Sequence, residues 1–225
     1  MNSMYQQLMQ LPLFQGVSTD KITTLVEKLP FHFLKFRNGK HVMQTGDPCT
    51  HLKFIVSGRV RLTTPCAHLR VTFGQTLSSP HVLAAEYLFG RETVYPFTAV
   101  AEGPCGILQL LKSDYIKMVN TDKVFLFNIL NYLSSGSQRS VSSVLSARNG
   151  SVAERLAMIV ESLTVSGSTD ITLNYKQKDL CSLLGTQRTT LVASLDKLQE
   201  KDILEYDSNE LRVLDYDGLL EINKD

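Results

Sequence analysis

The chain has 225 residues, 43% of them hydrophobic and 20% charged, with a formal net charge of +1. That is enough chain for one large or two small cores, in an ordinary globular composition. No stretch reaches the roughly 18 apolar residues of a membrane span, and the start lacks the basic and then apolar pattern of a signal peptide; the expectation is a cytoplasmic protein without a membrane partner. The charge is unevenly divided: residues 1–147 hold 14 Lys and Arg against 8 Asp and Glu, residues 149–225 hold 8 against 14, and Arg148 lies between. The asymmetry points to two domains, the second acidic. Cys49, Cys66, Cys105 and Cys181 are scattered without a C-x-x-C pair, so they read as free buried thiols rather than metal ligands or disulfides.

In chain order, Ser18-Thr19-Asp20 has the character of a helix N-cap. Ile22, Leu25, Val26 and Leu29 follow at helical spacing, and Pro30 stops the run. From residue 31 the period shortens. Phe33, Phe36, Val42, Phe54, Val56, Val60 and Leu62 fall in short β-type runs, separated by the turn signals Asn38-Gly39, Gly46-Asp47-Pro48 and Ser57-Gly58. Further runs at 70–73, 97–101 and 106–111 complete the pattern of a β-sandwich or jelly roll. Ser113-Asp114 opens a helical stretch to about Ala147, with a break in it. Its Leu126, Leu130, Leu133, Ser137 and Val144 keep near-heptad spacing, the seam a helix needs to pair with its twin. Arg148-Asn149-Gly150-Ser151 reads as a hinge, and Ser151 with Glu154 forms a capping box for a helix through Leu163. The polar segment 165–170 leads to an I-T-L strand, two short helices follow, and I-L-E-Y with L-R-V-L encloses a hairpin turn, D-S-N-E.

The two short helices form the constellation most informative about function. The first runs from about Lys176 to Leu184 with Leu180, Leu183 and Leu184 inward, and Gly185 supplies the turn. Thr186 is the expected N-cap of the second, whose stripe is Leu191, Leu195 and Leu198 with Val192 beside them. The outward positions are then Gln187, Arg188, Thr189 and Thr190, with Ser194 and Lys197 farther along. In a helix-turn-helix, residues at the N-terminus of the second helix reach base edges. Arginine clamps guanine O6 and N7, glutamine pairs with adenine, and threonine touches a phosphate or a thymine methyl. The leucine stripe alone would fit any packed helix pair; the polar, arginine-bearing start and the hairpin beyond it single out a winged helix.

Nearly the whole chain resembles the CRP/FNR family of bacterial transcription regulators. L-P-L-F-Q-G-V-S resembles the family's N-terminal helix, and F-R-N-G-K-H-V-M-Q-T-G-D with F-I-V-S-G-R-V-R-L its cyclic-nucleotide-binding-type β-roll. A-A-E-Y-L-F-G resembles the pocket segment, and D-L-C-S-L-L-G-T-Q-R-T-T-L the helix-turn-helix. The resemblance implies a homodimer built on the long helix, two winged helices on a palindromic double-stranded DNA site, and RNA polymerase as a further partner. Two departures stand out. In cyclic-AMP-binding members a Gly-Glu pair and a later arginine hold the ribose and the phosphate. Here Glu86 keeps the acidic position, Ala85 replaces the glycine, and Tyr95-Pro96-Phe97-Thr98-Ala99 has no arginine for the phosphate. An unpaired buried phosphate is poorly compensated, so the effector is expected not to be cyclic AMP. The second departure lies in the reading helix, where Thr189 stands for the family's glutamate and Ala193 for its second arginine, so a different or looser DNA site is expected.

The expected fold is α+β: an N-terminal β-roll (jelly-roll) domain over 1–112, a long dimerisation helix over 113–147, and a C-terminal winged helix-turn-helix domain over 148–225. The expected function is a DNA-binding transcription regulator, with a signalling or protein-interaction module of the same architecture as the alternative. The DNA-contacting candidates are Lys176, Lys178, Thr186, Gln187, Arg188, Thr189, Thr190, Ser194 and Lys197. Those for the pocket of an unknown small-molecule effector are Glu86, Tyr87, Arg91, Tyr95 and Thr98. No catalytic pair, phosphate loop, metal cluster or cofactor motif stands out, which argues against an enzyme. No cysteine cluster precedes Cys49 to hold iron and sulfur, and His41, His51, His68 and His81 lack a haem-binding spacing.

Overall fold

The computed structural model describes residues 6, 8–66, 68–146 and 150–222. Contacts divide the chain into two units. One comprises Met1–Leu62 with Leu77–Gly136, the other Thr63–Thr76 with Ser137–Asp225.

In the first unit, a 3-10 turn at Pro12–Phe14 precedes helix α1, Thr19–Lys28. Ser18 caps α1 as its sequence suggests, its Oγ accepting the Lys21 N–H, and Leu29 leaves the helix in extended backbone ahead of Pro30. Strands β1 (His32–Phe36), β2 (His41–Met43), β3 (His51–Pro65), β4 (Val71–Ser78), β5 (His81–Leu83) and β6 (Thr98–Leu111) follow. β6 pairs antiparallel with β1, Phe33 lying opposite Leu108, and with β2, while β5 pairs with β3. The turn expected at Ser57-Gly58 does not form, because β3 runs straight through it. Gly58 has φ of +79°, and a Cβ there would collide with the Pro104 carbonyl oxygen of β6. This glycine serves close approach of two strands and a local kink, not chain reversal. The runs expected separately at 97–101 and 106–111 are likewise one strand, β6.

Helices α2 (Lys112–Thr121) and α3 (Lys123–Ser146) are separated at Asp122. Asp122 is extended, its carboxylate accepting from Val124 N–H at 2.9 Å and from Lys21 Nζ at 2.8 Å. That contact holds its carboxyl below the usual carboxylate range. The break expected in the long helical stretch therefore has a named cause. The inner face of α3 buries Phe125 and Ile129, and the Phe14 ring stands edge-on to Phe54 at 5.6 Å and to Phe125 at 5.8 Å. Asn128 Nδ2 donates to the Leu13 and Gln15 carbonyls, fastening the N-terminal segment to α3. On the other face Leu126, Phe127 and Leu130 are exposed. In the expected seam Leu133 is half-buried and Ser137 exposed, and the Val144 side chain lies outside the described residues.

The second unit contains α4 (Val152–Leu163), β7 (Thr169–Tyr175), α5 (Gln177–Leu183), α6 (Arg188–Gln199), β8 (Leu204–Tyr206), β9 (Glu210–Val213) and α7 (Tyr216–Glu221). Arg148 and Asn149 of the expected hinge lie outside the described residues. The capping box forms: Glu154 N–H donates to Ser151 Oγ, and Ser151 N–H to Glu154 Oε2. The hairpin is as expected, with Leu204 opposite Val213 and Tyr206 opposite Leu211. Helix α7 was not foreseen; Asp215 caps it by accepting the Gly218 N–H at 2.9 Å.

The β run expected at 70–73 forms as β4, but its place in this unit's sheet, in the order β4-β7-β9-β8, was not foreseen. β4 adds antiparallel to β7, with Val71 opposite Tyr175 and Phe73 opposite Leu173. Val71 and Phe73 are buried among Leu156, Val160, Leu180, Leu191, Leu195 and Leu211. Gln75, 2% exposed, donates through Nε2 to the Leu163 carbonyl and accepts the Val165 N–H, so both ends of its amide are satisfied in the core. The fold is α+β, an antiparallel β-roll followed by helices and a winged helix-turn-helix, as the sequence predicts. One detail differs: the cysteines are free, but only Cys49 and Cys105 are buried, Cys66 and Cys181 being half-buried against the core of the second unit.

Candidate nucleic-acid interface

α5 and α6 are held by their leucines. Leu180, Leu184, Leu191, Leu195 and Leu198 are at most 4% exposed, and Leu183 and Val192 are half-buried. Gly185, at φ +57°, turns the chain between them, its N–H donating to the Ser182 carbonyl and that of Thr186 to the Cys181 carbonyl. The N-cap of α6 is Gln187 rather than Thr186. The residue in extended backbone immediately before the helix is Gln187, and its side chain does not close on the first turn. The helix thus starts one residue later than its sequence suggests, with an N-terminus that its own side chains leave open.

Gln187, Arg188, Thr189 and Thr190 are all exposed, and Thr186 is half-buried. Lys176, the N-cap of α5, is exposed, as are Lys178 and Lys197; among the described residues none of the three has an ion pair. Ser194 is half-buried and donates to the Thr190 carbonyl at 2.8 Å, so its hydroxyl is already engaged by its own helix.

Several acidic residues of this unit are engaged by partners within it. Asp196 accepts a hydrogen bond from the Tyr206 hydroxyl, which raises the Tyr206 pKa and joins α6 to β8. Asp207 accepts the N–H groups of Asn209 and Glu210, both at 2.7 Å, closing the wing turn; these donors hold its carboxyl below the ordinary value. Arg212 on β9 lies 3.5–3.7 Å from Asp170, Glu205 and Glu210, so the wing's arginine is compensated by carboxylates. The sequence reading missed Arg155, whose guanidinium donates to the Leu184 and Gly150 carbonyls. Its only sequence signal was its place directly after the capping-box glutamate.

The effector candidates lie in the first unit. Ala84, in left-handed backbone at φ +55°, leads into the 3-10 turn Ala85–Tyr87 that carries Glu86. Glu86 and Arg91 are exposed and Tyr87 is half-buried. The Tyr87 ring stands edge-on to Phe97 at 6.0 Å, and Phe97 lies 6.4 Å from the Tyr95 ring, so aromatic side chains occupy this part of the roll. Tyr95 is buried, with Lys53 Nζ 6.0 Å from its ring and its hydroxyl beside the Cys49 thiol. Burial raises the pKa of both Tyr95 and Cys49, so both stay protonated at neutral pH. Thr98 is tied to Thr45 through its Oγ1. Cys49 and Lys53 are residues the sequence reading did not single out; a lone cysteine and a strand lysine carry no local signal. Among the described residues no three His, Cys, Asp or Glu side chains gather as a metal site would require, and no helix is long and apolar enough to cross a membrane.

A β-roll followed by a winged helix-turn-helix defines a class: a β-roll domain joined to a helix-turn-helix module of the DNA-binding type. Residues 33–122 match the family model for the cyclic nucleotide-binding domain, and residues 151–222 match that for the Crp-like helix-turn-helix domain. The two matches, in that order and over well more than half the chain, show that it belongs to the CRP/FNR family of regulators, DNA-binding proteins rather than enzymes. Among solved structures, the catabolite activator protein of Thermus thermophilus is 22% identical, with 95% of this chain and 98% of that one covered at a TM-score of 0.52. A CooA variant from Carboxydothermus hydrogenoformans is 18% identical, with 89% and 90% covered and a TM-score of 0.49. FixK2 from Bradyrhizobium japonicum is 16% identical, with 86% and 98% covered and a TM-score of 0.47. The first of these shows likeness of fold. No curated protein matches the chain.

Proposed function

We propose that this chain is a cytoplasmic, homodimeric transcription regulator that reads a palindromic duplex site with α6 and answers to a small-molecule effector other than cyclic AMP. The observation that carries the DNA reading is the division of α6. Leu191, Leu195 and Leu198 fill the core while Gln187, Arg188, Thr189 and Thr190 face solvent at its open N-terminus. Helix N-termini attract phosphate, and the side chains there suit base edges. Arg188 is the principal base contact; Gln187, Thr189 and Thr190 flank it; Lys176, Lys178, Thr186 and Lys197 meet phosphates, and Ser194 contributes least because its hydroxyl is engaged. The dimer reading draws on the exposed Leu126, Phe127 and Leu130 of α3. The effector reading draws on Glu86, Tyr87, Arg91, Tyr95 and Thr98, a set with no arginine in the segment where a cyclic phosphate would need one. RNA polymerase is the further partner this reading implies.

The test is binding to genomic DNA fragments over a range of salt, with and without cyclic AMP. Affinity should fall steeply with salt and be indifferent to cyclic AMP. Arg188→Ala should cost about 1–3 kcal/mol and relax specificity, and Lys197→Ala should lower the salt slope by about 1. The alternative, a protein-interaction module, is favoured by the acidic wing bearing Glu205, Asp207 and Glu210. Binding that is absent or insensitive to salt would decide for it.

A further inference from the structure

The turn that sets α6 is held from outside the helix pair. The N–H groups of residues 184–186 are met by carbonyls of α5: Leu184 N–H donates to Leu180, Gly185 to Ser182 and Thr186 to Cys181. The carbonyl of Leu184, a residue 1% exposed, instead accepts Arg155 Nε from α4 at 2.8 Å. The same guanidinium donates through Nη1 to the carbonyl of Gly150, which leads into α4. Arginine is always charged and its donors form a rigid fork, so one side chain fixes both carbonyls relative to each other. Arg155 is half-buried, and among the described residues these carbonyls are its partners and no carboxylate forms an ion pair with it. Gly150 is itself closely approached, since a Cβ there would collide with the Glu154 carboxylate of the capping box. Finally, α6 has no side-chain N-cap of its own, so the placement of its first turn depends on the turn before it.

We propose that Arg155 is a positioning residue for the reading helix: it joins the segment leading into the winged unit to the Leu184-Gly185 turn, and so sets where Gln187–Thr190 stand without touching DNA. The consequence for binding rests on the DNA reading above, whereas the consequence for the turn does not. A displacement of Gly150 is carried to the start of α6 through one side chain.

The experiment uses the full chain with Arg155→Met, Arg155→Lys, Arg188→Ala and the Arg155→Met/Arg188→Ala pair. Amide hydrogen exchange is read first, in the absence of DNA. Arg155→Met should speed exchange at Gly185 and Thr186 about tenfold, the loss expected for a hydrogen bond from a charged donor, while Leu173 and Leu211 in the sheet keep their rates. Equal acceleration in turn and sheet, or none in the turn, overturns the proposal. DNA titration is read second. Arg155→Met should weaken binding about tenfold with the salt slope unchanged, and should cost little once Arg188 is already alanine. Arg155→Lys should recover part of the loss, since an ammonium can keep one of the two carbonyls. A slope lowered by about 1 would make Arg155 a phosphate contact, and additive losses would make it merely structural; either result overturns positioning. Failure of the unaltered chain to bind DNA at all defeats the DNA reading, and the exchange rates then decide the turn by themselves.

Discussion

Asp207 shows how much a single carboxylate contributes to the wing. It closes the β8–β9 turn by accepting two backbone N–H groups, and these donors lower its pKa from the ordinary 3.8. A depressed carboxylate pKa adds stability above the unfolded-state value and loses it as pH falls through the folded-state value. Asp207→Ala should therefore be less stable than the natural chain at neutral pH. The gap in urea midpoint should close below about pH 4, and a gap that persists in acid would assign the effect to something other than the ionised carboxylate. D-S-N-E was legible as a turn because aspartate bonds its own downstream backbone. Arg155 was not legible. Its carbonyl partners are brought near by the packing of α4 on the helix pair, and no local pattern records that.

At the scale of elements, amphipathic helices were read with most success, because their partners lie three and four residues away. Ser18 caps α1, Ser151 and Glu154 start α4, and the leucines of α5 and α6 fall inside. The misread elements are those where distant backbone intrudes. Ser57-Gly58 has turn chemistry, yet the glycine is needed because Pro104 of β6 passes close by. Thr186 is a good cap by type, but the Gly185 turn draws its N–H back to Cys181 and delays the helix to Arg188. For α3 the inner face is occupied by Phe125 and Ile129, and the outer face carries Leu126, Phe127 and Leu130 to solvent. Leu126→Glu with Leu130→Glu should convert a dimer to a monomer in sedimentation equilibrium while leaving the helical circular dichroism intact. Burying each leucine is worth about 1.5–3 kcal/mol, so the pair should shift self-association by orders of magnitude. A dimer that survives both charges would not be built on this face.

At the scale of the molecule, the order of the pieces was legible: β-roll, long helix, winged helix, with the acidic balance in the last. The strand that completes the winged unit was not, since V-T-F-G-Q-T reads as half of any hairpin and pairing between distant strands leaves no local trace. Residues 148–225 produced alone should therefore be a poor domain. They would lack Val71 and Phe73 from the core and leave the β4 side of β7 unpaired, an open edge of the kind that recruits other chains. The fragment should aggregate or melt at a lower temperature than the same unit in the full chain, and a peptide of residues 63–76 added in excess should raise its melting point. A fragment as stable as the intact unit would mean that β4 contributes little.

The β4–β7 pairing also has a consequence in time. Val71 meets Tyr175 about a hundred residues farther along the chain, so closing this sheet carries the loop entropy of a long, non-local contact. During synthesis β3 and its neighbour β4 leave the ribosome well before α4, β7 and the reading helix exist, with the Phe73 side chain still lacking its cover. Translation must run through Tyr175 before that strand gains β7 as its second neighbour, and the winged unit is completed by one of the earlier pieces of the chain.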